Sequence, residues 1–125
     1  MMGDVTIQST QDQLRLQLRG DVSSLPWCEI WQQLEAKVES CQPQQMLIEA
    51  QVSRWPSIVQ LYGWPQRLRE TGVREICRIA ICDTNPATQR DAHFLDCVLH
   101  NQGFCFSTVC DNVADAGAWL SRQPA

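Results

Sequence analysis

Apolar and polar residues alternate in two short segments near the start of the chain. Residues 5–9 (VTIQS) and 13–19 (QLRLQLR) both follow this two-residue period, and the short polar segment 10–12 separates them. Such a period is typical of β-strands with one buried face. The pattern therefore predicts an antiparallel hairpin at a sheet edge, with the leucines of its second strand toward the core and its other side in water.

The next apolar residues recur at three- and four-residue steps, which is the period of a helix. Ser23 or Ser24 followed by Pro26 is a typical helix start, because a hydroxyl can cap the first turn and proline has no N–H to leave unpaired. The apolar stripe of this helix should face the core, and it comprises Trp27, Ile30, Trp31, Leu34 and Val38.

Three more strands are predicted in the rest of the chain. The runs at 46–50 (MLIEA) and 76–82 (ICRIAIC) are apolar enough for strands buried on both faces, and 104–109 (FCFSTV) is a fifth strand. Between the first two runs, Pro65 interrupts a helical pattern. It predicts a kink or two short helices that end near Gly72.

Two final helices complete the predicted order of elements. Asn85 and Pro86 open the first of them and Gly103 ends it, whereas Asp111 or Asn112 caps the last helix. The order is then ββαβαβαβα. Strands that alternate with helices form parallel pairs through right-handed crossovers, so we expect an α/β domain with a mixed, mostly parallel five-stranded sheet and flanking helices.

Composition and charge exclude several kinds of partner. The 125 residues are 44% hydrophobic and 19% charged, as expected for one globular domain over residues 1–125. The net charge is −4, and among the ten basic residues only Lys37 is a lysine. Nucleic acids and anionic membranes require a concentrated positive patch, so we expect neither as a partner.

The cysteines and the N-terminus indicate the compartment. Seven cysteines cannot all pair, and the first ten residues lack the basic start and apolar run of a secretory signal. The apolar runs are also far shorter than the ~20 residues that cross a bilayer. We therefore expect a cytoplasmic protein without a membrane span.

Three segments and the element order resemble a known family. The segments are 46–50 (MLIEA), 78–86 (RIAICDTNP) and 111–120 (DNVADAGAWL). They are similar to the SpoIIAA-like branch of the STAS superfamily, the bacterial anti-sigma-factor antagonists. The resemblance implies a small cytoplasmic domain that works as a binding or regulatory module and is not an enzyme.

The same resemblance points to a serine segment. The antagonists carry an Asp-Ser-Ser-Gly type segment after the third strand, where a serine is phosphorylated to release a partner kinase. The matching residues here are 52–58 (VSRWPSI), so the resemblance implies Ser57 or Ser53 as the phosphorylation site. No acidic residue precedes the serine, and Ile58 stands in place of the glycine. Helix capping by either hydroxyl is the alternative.

Aromatic residues beside prolines suggest a contact surface in the same region. Rings at helix ends are often only half buried, and exposed aromatics form interaction patches. We expect a protein partner or a second copy of the chain to bind at residues 53–62 and the tryptophan that follows. The predicted contact residues are Ser53, Trp55, Ser57, Tyr62 and Trp64.

A carrier of a small apolar ligand or lipid is the alternative function. Similar domains resemble lipid carriers in their order of sheet and helices, and the sequence offers Trp55, Trp64 and Phe94 as the lining of an internal cavity. In this alternative, the tryptophans lie inside the domain and not on its surface.

Cys82 is the candidate reactive thiol of a third possible function, a redox sensor. It ends a strand just before a predicted helix start, where the helix dipole lowers a thiol pKa, and Cys77 or Cys110 would be its resolving partner. A buried, inert thiol is the alternative. His93 and His100 lie about 10 Å apart along a helix, too far for one metal ion. We expect no metal, cofactor or catalytic site.

Overall fold

A five-stranded sheet with the spatial order β1-β2-β3-β4-β5 forms the centre of the protein. The computed structural model describes residues 3–10 and 12–122. The strands are β1 (Asp4–Ser9), β2 (Gln13–Asp21), β3 (Gln45–Arg54), β4 (Arg78–Asp83) and β5 (Ser107–Cys110). The first two strands pair antiparallel as a hairpin, and each later strand pairs parallel with its predecessor. The predicted α/β class and mixed, mostly parallel sheet are confirmed.

Five helices flank the sheet. They are α1 (Trp27–Cys41), α2 (Ile58–Tyr62), α3 (Trp64–Thr71), α4 (Gln89–Asn101) and α5 (Val113–Ser121). The pair α2 and α3 confirms the predicted interruption before Pro65, and Gly72 ends α3 with a φ of 101°. Glycine reaches this left-handed conformation without steric cost. No helix among the described residues is long and apolar enough to cross a membrane.

Helices α1 to α4 share one face of the sheet and enclose the main core. Alternate residues of β2 and β3 point into it, and Leu14, Leu16 and Leu18 are each no more than 1% exposed. The predicted direction of these leucines is confirmed. On the other face, α5 packs over β3, β4 and β5, where Leu47, Ala80 and Cys82 form a smaller core.

The part of this second face nearest β1 is polar. Glu49 on β3 accepts hydrogen bonds from Arg15 Nε (2.9 Å) and Gln17 Nε2 (3.2 Å) on the neighbouring strand β2. Burial alone would raise the pKa of Glu49, but the hydrogen bonds and the positive charge of Arg15 lower it overall. A fixed charge pair thus joins β2 to β3 on the same face as α5, in the part of that face that α5 leaves uncovered.

Strand β3 is longer than the predicted 46–50, and it contains an irregularity near its end. Gly20 of β2 lies opposite Val52, whereas Asp21 lies opposite Arg54, so Ser53 is an extra residue in the pairing. Because side chains alternate along a strand, a shift of one residue reverses the face to which each later side chain points. Trp55 is thereby directed into the main core.

Several predicted element starts are wrong. The cap of α1 is Pro26 without any side-chain hydrogen bond, because Ser23 instead donates its N–H and hydroxyl to Asp21 Oδ1. Helix α4 begins at Gln89, after a turn that follows Pro86. Strand β5 begins at Ser107, because the preceding residues continue the turn that ends α4. The predicted cap of α5 is confirmed, since Asn112 accepts from the N–H of Asp115 at 2.8 Å.

Candidate partner-binding surface

The segment after β3 leads directly into a capped helix. Ser57 Oγ accepts a hydrogen bond from the Gln60 N–H (3.2 Å), and Gln60 Oε1 accepts one from the Ser57 N–H (3.3 Å). This reciprocal arrangement pairs two N–H groups that would otherwise lack acceptors at the helix start. The capping role of Ser57 is therefore present in the structure. Its side chain lies on the surface, as does that of Ser53 at the irregularity of β3.

Helix α2 exposes three large apolar side chains, which we call the α2 patch. Val59 is 82% exposed, Tyr62 is 62% and Ile58 is 59%, whereas Leu61 on the inner side is fully buried. Apolar side chains that are exposed together on a folded domain form a candidate contact surface. Tyr62 was predicted as a contact residue. Ile58 and Val59 were not. The helical period places Val59 on the side opposite the buried Leu61, whereas Ile58, three residues before Leu61, would be expected on the inner side.

Trp55 and Trp64 are buried in the main core and are not part of the α2 patch. They are only 2% and 3% exposed, so the predicted half-burial of these two rings is wrong. The shift at Ser53 turns Trp55 inward, and Trp64 packs 5.3 Å from Trp27 between ring centroids. Pro56 and Pro65, which were expected to hold the rings at the surface, are themselves buried.

The same packing occupies the place of the expected ligand cavity. The ring centroids of Trp55 and Trp64 are 6.3 Å apart, which is contact distance for tilted aromatic rings. Phe94 packs against the same core. A lipid chain does not fit between two rings in contact, so the space between Trp55 and Trp64 is closed by their own side chains.

A buried carboxylate fixes the start of the segment that carries α2. Asp83, at the end of β4, is fully buried, and its Oδ2 accepts hydrogen bonds from Trp55 Nε1 (2.9 Å) and Thr88 Oγ1 (2.8 Å). Its Oδ1 accepts from the Asn85 N–H (3.0 Å), and Asn85 Nδ2 donates to the carbonyl of Val52 (3.1 Å). This network ties the end of β3 to the start of α4.

Cys82 lies in an environment that suppresses thiol reactivity. Its side chain is fully buried beneath α5, and burial together with the charge of Glu49 raises its pKa to about 11. The predicted lowering of this pKa is wrong, because α4 begins six residues past Asp83 and its dipole is remote from the thiol. Burial also raises the pKa of Cys77, to about 12, and that of Cys110. A thiolate is the reactive form of cysteine, so these thiols are poor nucleophiles.

The histidine side of α4 is used in packing against β5. His100 Nε2 lies 2.9 Å from the carbonyl oxygen of Ser107 and 3.6 Å from Asp96 Oδ1, and the Ser107 hydroxyl donates to the same Asp96 oxygen. The arrangement joins a helix to the start of a strand. Within residues 3–10 and 12–122, no three His, Cys, Asp or Glu residues are grouped so that they could hold a metal ion.

Comparison with known proteins supports the fold at low sequence similarity. No protein-family model and no curated protein sequence matches the chain. A solved structure of an anti-sigma factor antagonist from Mycobacterium paratuberculosis matches with a TM-score of 0.67 at 14% identity. The match covers 97% of this chain and 96% of that chain. The chain therefore has the fold of that antagonist, as the resemblance of its sequence implied.

Proposed function

We propose that this chain, which has the fold of an anti-sigma factor antagonist, is a non-catalytic regulatory module that binds a partner protein through the α2 patch. The exposure of Ile58, Val59 and Tyr62 on one short helix carries the proposal. Burying such side chains at an interface removes apolar area from water, which is the main favourable term in association.

The patch is held in place before any partner arrives. Leu61 anchors α2 in the core, and Nε2 of Gln102, the residue just after α4, donates to the carbonyl of Tyr62 at 3.2 Å. The network around Asp83 fixes Trp55, just before the helix. A surface that is already ordered loses less conformational entropy on binding. Rigid display of the three side chains is therefore consistent with an interaction surface.

The chemistry of the patch defines the partner surface that it fits. Helix α2 has the sequence IVQLY and contains no charged residue. Charged groups are depleted at the centres of interfaces, and tyrosine is enriched among the residues that contribute most to affinity. The proposed partner thus presents an apolar pocket for Tyr62 and Val59, with its polar groups at the rim.

Phosphorylation of Ser57 is the proposed regulation of this contact. Its hydroxyl is at the surface and adjoins Ile58 of the patch, whereas Ser53 lies further away, within β3. A phosphate carries about two negative charges, and charge beside an apolar interface opposes binding through its desolvation cost. We expect Ser57→Glu to weaken partner binding and Ser57→Ala to retain it, apart from a modest loss of helix stability.

Affinity capture from the host tests the proposal. Immobilised wild type is compared with the double variant Val59→Asp, Tyr62→Asp and with the control Val113→Asp, an exposed apolar residue on α5. Proteins that bind through the patch should be captured by wild type and by the control. The captured amount should be at least tenfold lower with the double variant. Sedimentation equilibrium of the same three proteins shows whether the partner is a second copy.

The folded state of each variant is checked by circular dichroism. All three substituted side chains are exposed, so the spectra should match that of wild type. If the bound proteins are the same for all three, or if no protein binds the wild type specifically and the chain stays monomeric, the proposal is wrong.

A further inference from the structure

A groove lies at the opposite end of the strands from the α2 patch. It is an open groove of about 1270 Å³ at the amino ends of β3, β4 and β5, between the C-terminal ends of α1 and α3 on one side and of α5 on the other. Strand β3 has ten residues, so the two surfaces are roughly 30 Å apart. A molecule in this groove leaves the α2 patch free.

The floor of the groove is apolar and exposed. Ile76 is 63% exposed in the turn before β4, and Phe106 is 49% exposed just before β5. The two strands are neighbours, and the carbonyl of Phe106 accepts a hydrogen bond from Ile79 N at 2.8 Å. Buried Val38 and Leu120 border the same groove. Covering both side chains would remove their apolar area from water, which favours association.

The wall formed by α1 is acidic, and its charges destabilise the C-terminal part of that helix. Glu35 and Glu39 are one turn apart, and neither forms a salt bridge with another described residue. They lie toward the C-terminal end of α1, whose last turn contains no basic residue. Like charges at this spacing repel each other, and a helix C-terminus favours positive charge. Positive groups from another molecule would relieve both effects.

The opposite wall is basic and partly fixed. Arg78 Nη2 donates to the carbonyl of Trp119 (2.6 Å), and its guanidinium stacks 4.4 Å from the centre of the Trp119 ring. Arg122 follows at the end of α5 and lines the same side. The side of the groove formed by α1 and α3 thus carries three glutamates (Glu35, Glu39 and Glu70) and one arginine, Arg74. The side next to α5 carries Arg78 and Arg122, so the groove has an apolar floor between a mainly negative side and a positive side.

We propose that this groove binds an amphipathic helix of a second partner protein, with a row of Lys or Arg along the edge that faces α1 and a row of Asp or Glu along the other. A helix about 10–12 Å wide lays its apolar stripe into such grooves through residues at three- and four-residue steps. The two charged walls match the two edges of the helix. With both surfaces occupied, the chain links two proteins.

A designed peptide tests this inference without knowledge of the natural partner. The probe is a fluorescein-labelled helical peptide of 18 residues with a leucine stripe, lysines along one edge and glutamates along the other. Its control has the same composition, with lysine and glutamate mixed on both edges. Fluorescence anisotropy with the full chain should show saturable binding of the probe, several-fold tighter than the control at low salt and nearly equal at 1 M salt, where charges are screened beyond about 3 Å.

Variants of the protein locate the contact. The double variant Ile76→Asp, Phe106→Asp should bind the probe peptide at least tenfold more weakly than wild type does. The double variant Val59→Asp, Tyr62→Asp should bind it with unchanged affinity. Because all four side chains are exposed, the variants should keep the wild-type circular dichroism. Glu35→Lys, Glu39→Lys should reverse the preference, toward a peptide with glutamates on both edges.

Four outcomes would overturn the inference. The first two are the absence of saturable probe binding up to millimolar protein, and equal affinity of the probe for wild type and for the Ile76 and Phe106 variant. The other two are loss of probe binding when the α2 patch is changed, and a wild-type dimer that is abolished in the Ile76 and Phe106 variant. The last would assign the groove to a second copy of the chain. None depends on whether the α2 patch binds its own partner.

Discussion

Replacement of Asp83 by asparagine should destabilise the protein although the side chain keeps its shape. Both carboxylate oxygens accept N–H groups, Oδ2 from Trp55 (2.9 Å) and Oδ1 from Asn85 (3.0 Å). In Asp83→Asn, one of these positions becomes an NH₂ group, so a donor faces a donor whichever way the amide is turned. The Thr88 hydroxyl can rotate to accept one new hydrogen bond, but the displaced N–H has no acceptor left.

The expected cost follows from the burial of this site. A hydrogen bond to a charged group contributes about 1.5–3 kcal/mol, and a buried donor left unpaired costs about 1–3 kcal/mol. The neutral amide is easier to bury than the carboxylate, which offsets part of the loss. We expect a net loss of about 2–3 kcal/mol in the free energy of unfolding. With a urea m-value of about 2 kcal/mol/M, the midpoint of unfolding falls by roughly 1 M.

The assay is urea unfolding followed by tryptophan fluorescence and far-ultraviolet circular dichroism. The matched control is Asp111→Asn, an exposed aspartate just after the neighbouring strand β5, which should change the midpoint little. A double-mutant cycle with Trp55→Phe isolates the central contact. In the Trp55→Phe background one donor is absent, so Asp83→Asn should cost about 1 kcal/mol less. Equal effects of the two asparagine variants, or an unchanged cost in the Trp55→Phe background, would refute the reasoning.

Three further predictions concern other parts of the fold. The lowered pKa of Glu49 contributes stability that is present above its ordinary value of about 4.5 and is lost as the pH falls through the lowered value, so in urea unfolding Glu49→Gln should be less stable than wild type at pH 7, and this difference should shrink as the pH falls below 4.5. Asn112→Ala removes the cap of α5 and should cost about 1 kcal/mol, with retention of wild-type stability as the contrary result. Ellman's reagent at pH 8 should leave Cys77 and Cys82 unmodified until the chain unfolds, and rapid labelling of either in the folded state would contradict their burial. The thiols that should react at once are those of Cys28, Cys97 and Cys105.

The periodicity of the sequence predicted the elements and their buried sides because these depend on neighbouring residues. The alternation in β2 placed its leucines in the core, and the glycine after α3 marked its end. The failures depend on contacts between distant residues. The inward direction of Trp55 results from one extra residue in the pairing of β3 with β2, which nothing in the local pattern around Ser53 indicates.

The candidate site was predicted only in part, because some of its features depend on neighbouring residues and others on contacts with distant ones. Tyr62 and Ser57 lie on the surface, as the segment after β3 suggested. Trp64 adjoins a proline, which favoured a surface position, but it packs against Trp27 and Trp31 of α1 and against Trp55, which follows β3. Cys82 was predicted at the end of a strand, and it lies next to the last residue of β4. Its pKa depends on the covering helix α5, which comes more than thirty residues later in the chain.

The identity between the order of the strands in space and their order along the chain has a consequence for synthesis. Each strand pairs with the one made just before it, so no strand must be inserted between two that have already joined. At about 5–20 residues per second, the ribosome delivers β1 to β3 before β4 exists. Sheet assembly can thus follow translation from one edge to the other, and the polar face of β2 and β3 can remain in water meanwhile, while α5 arrives last to cover the remaining apolar face.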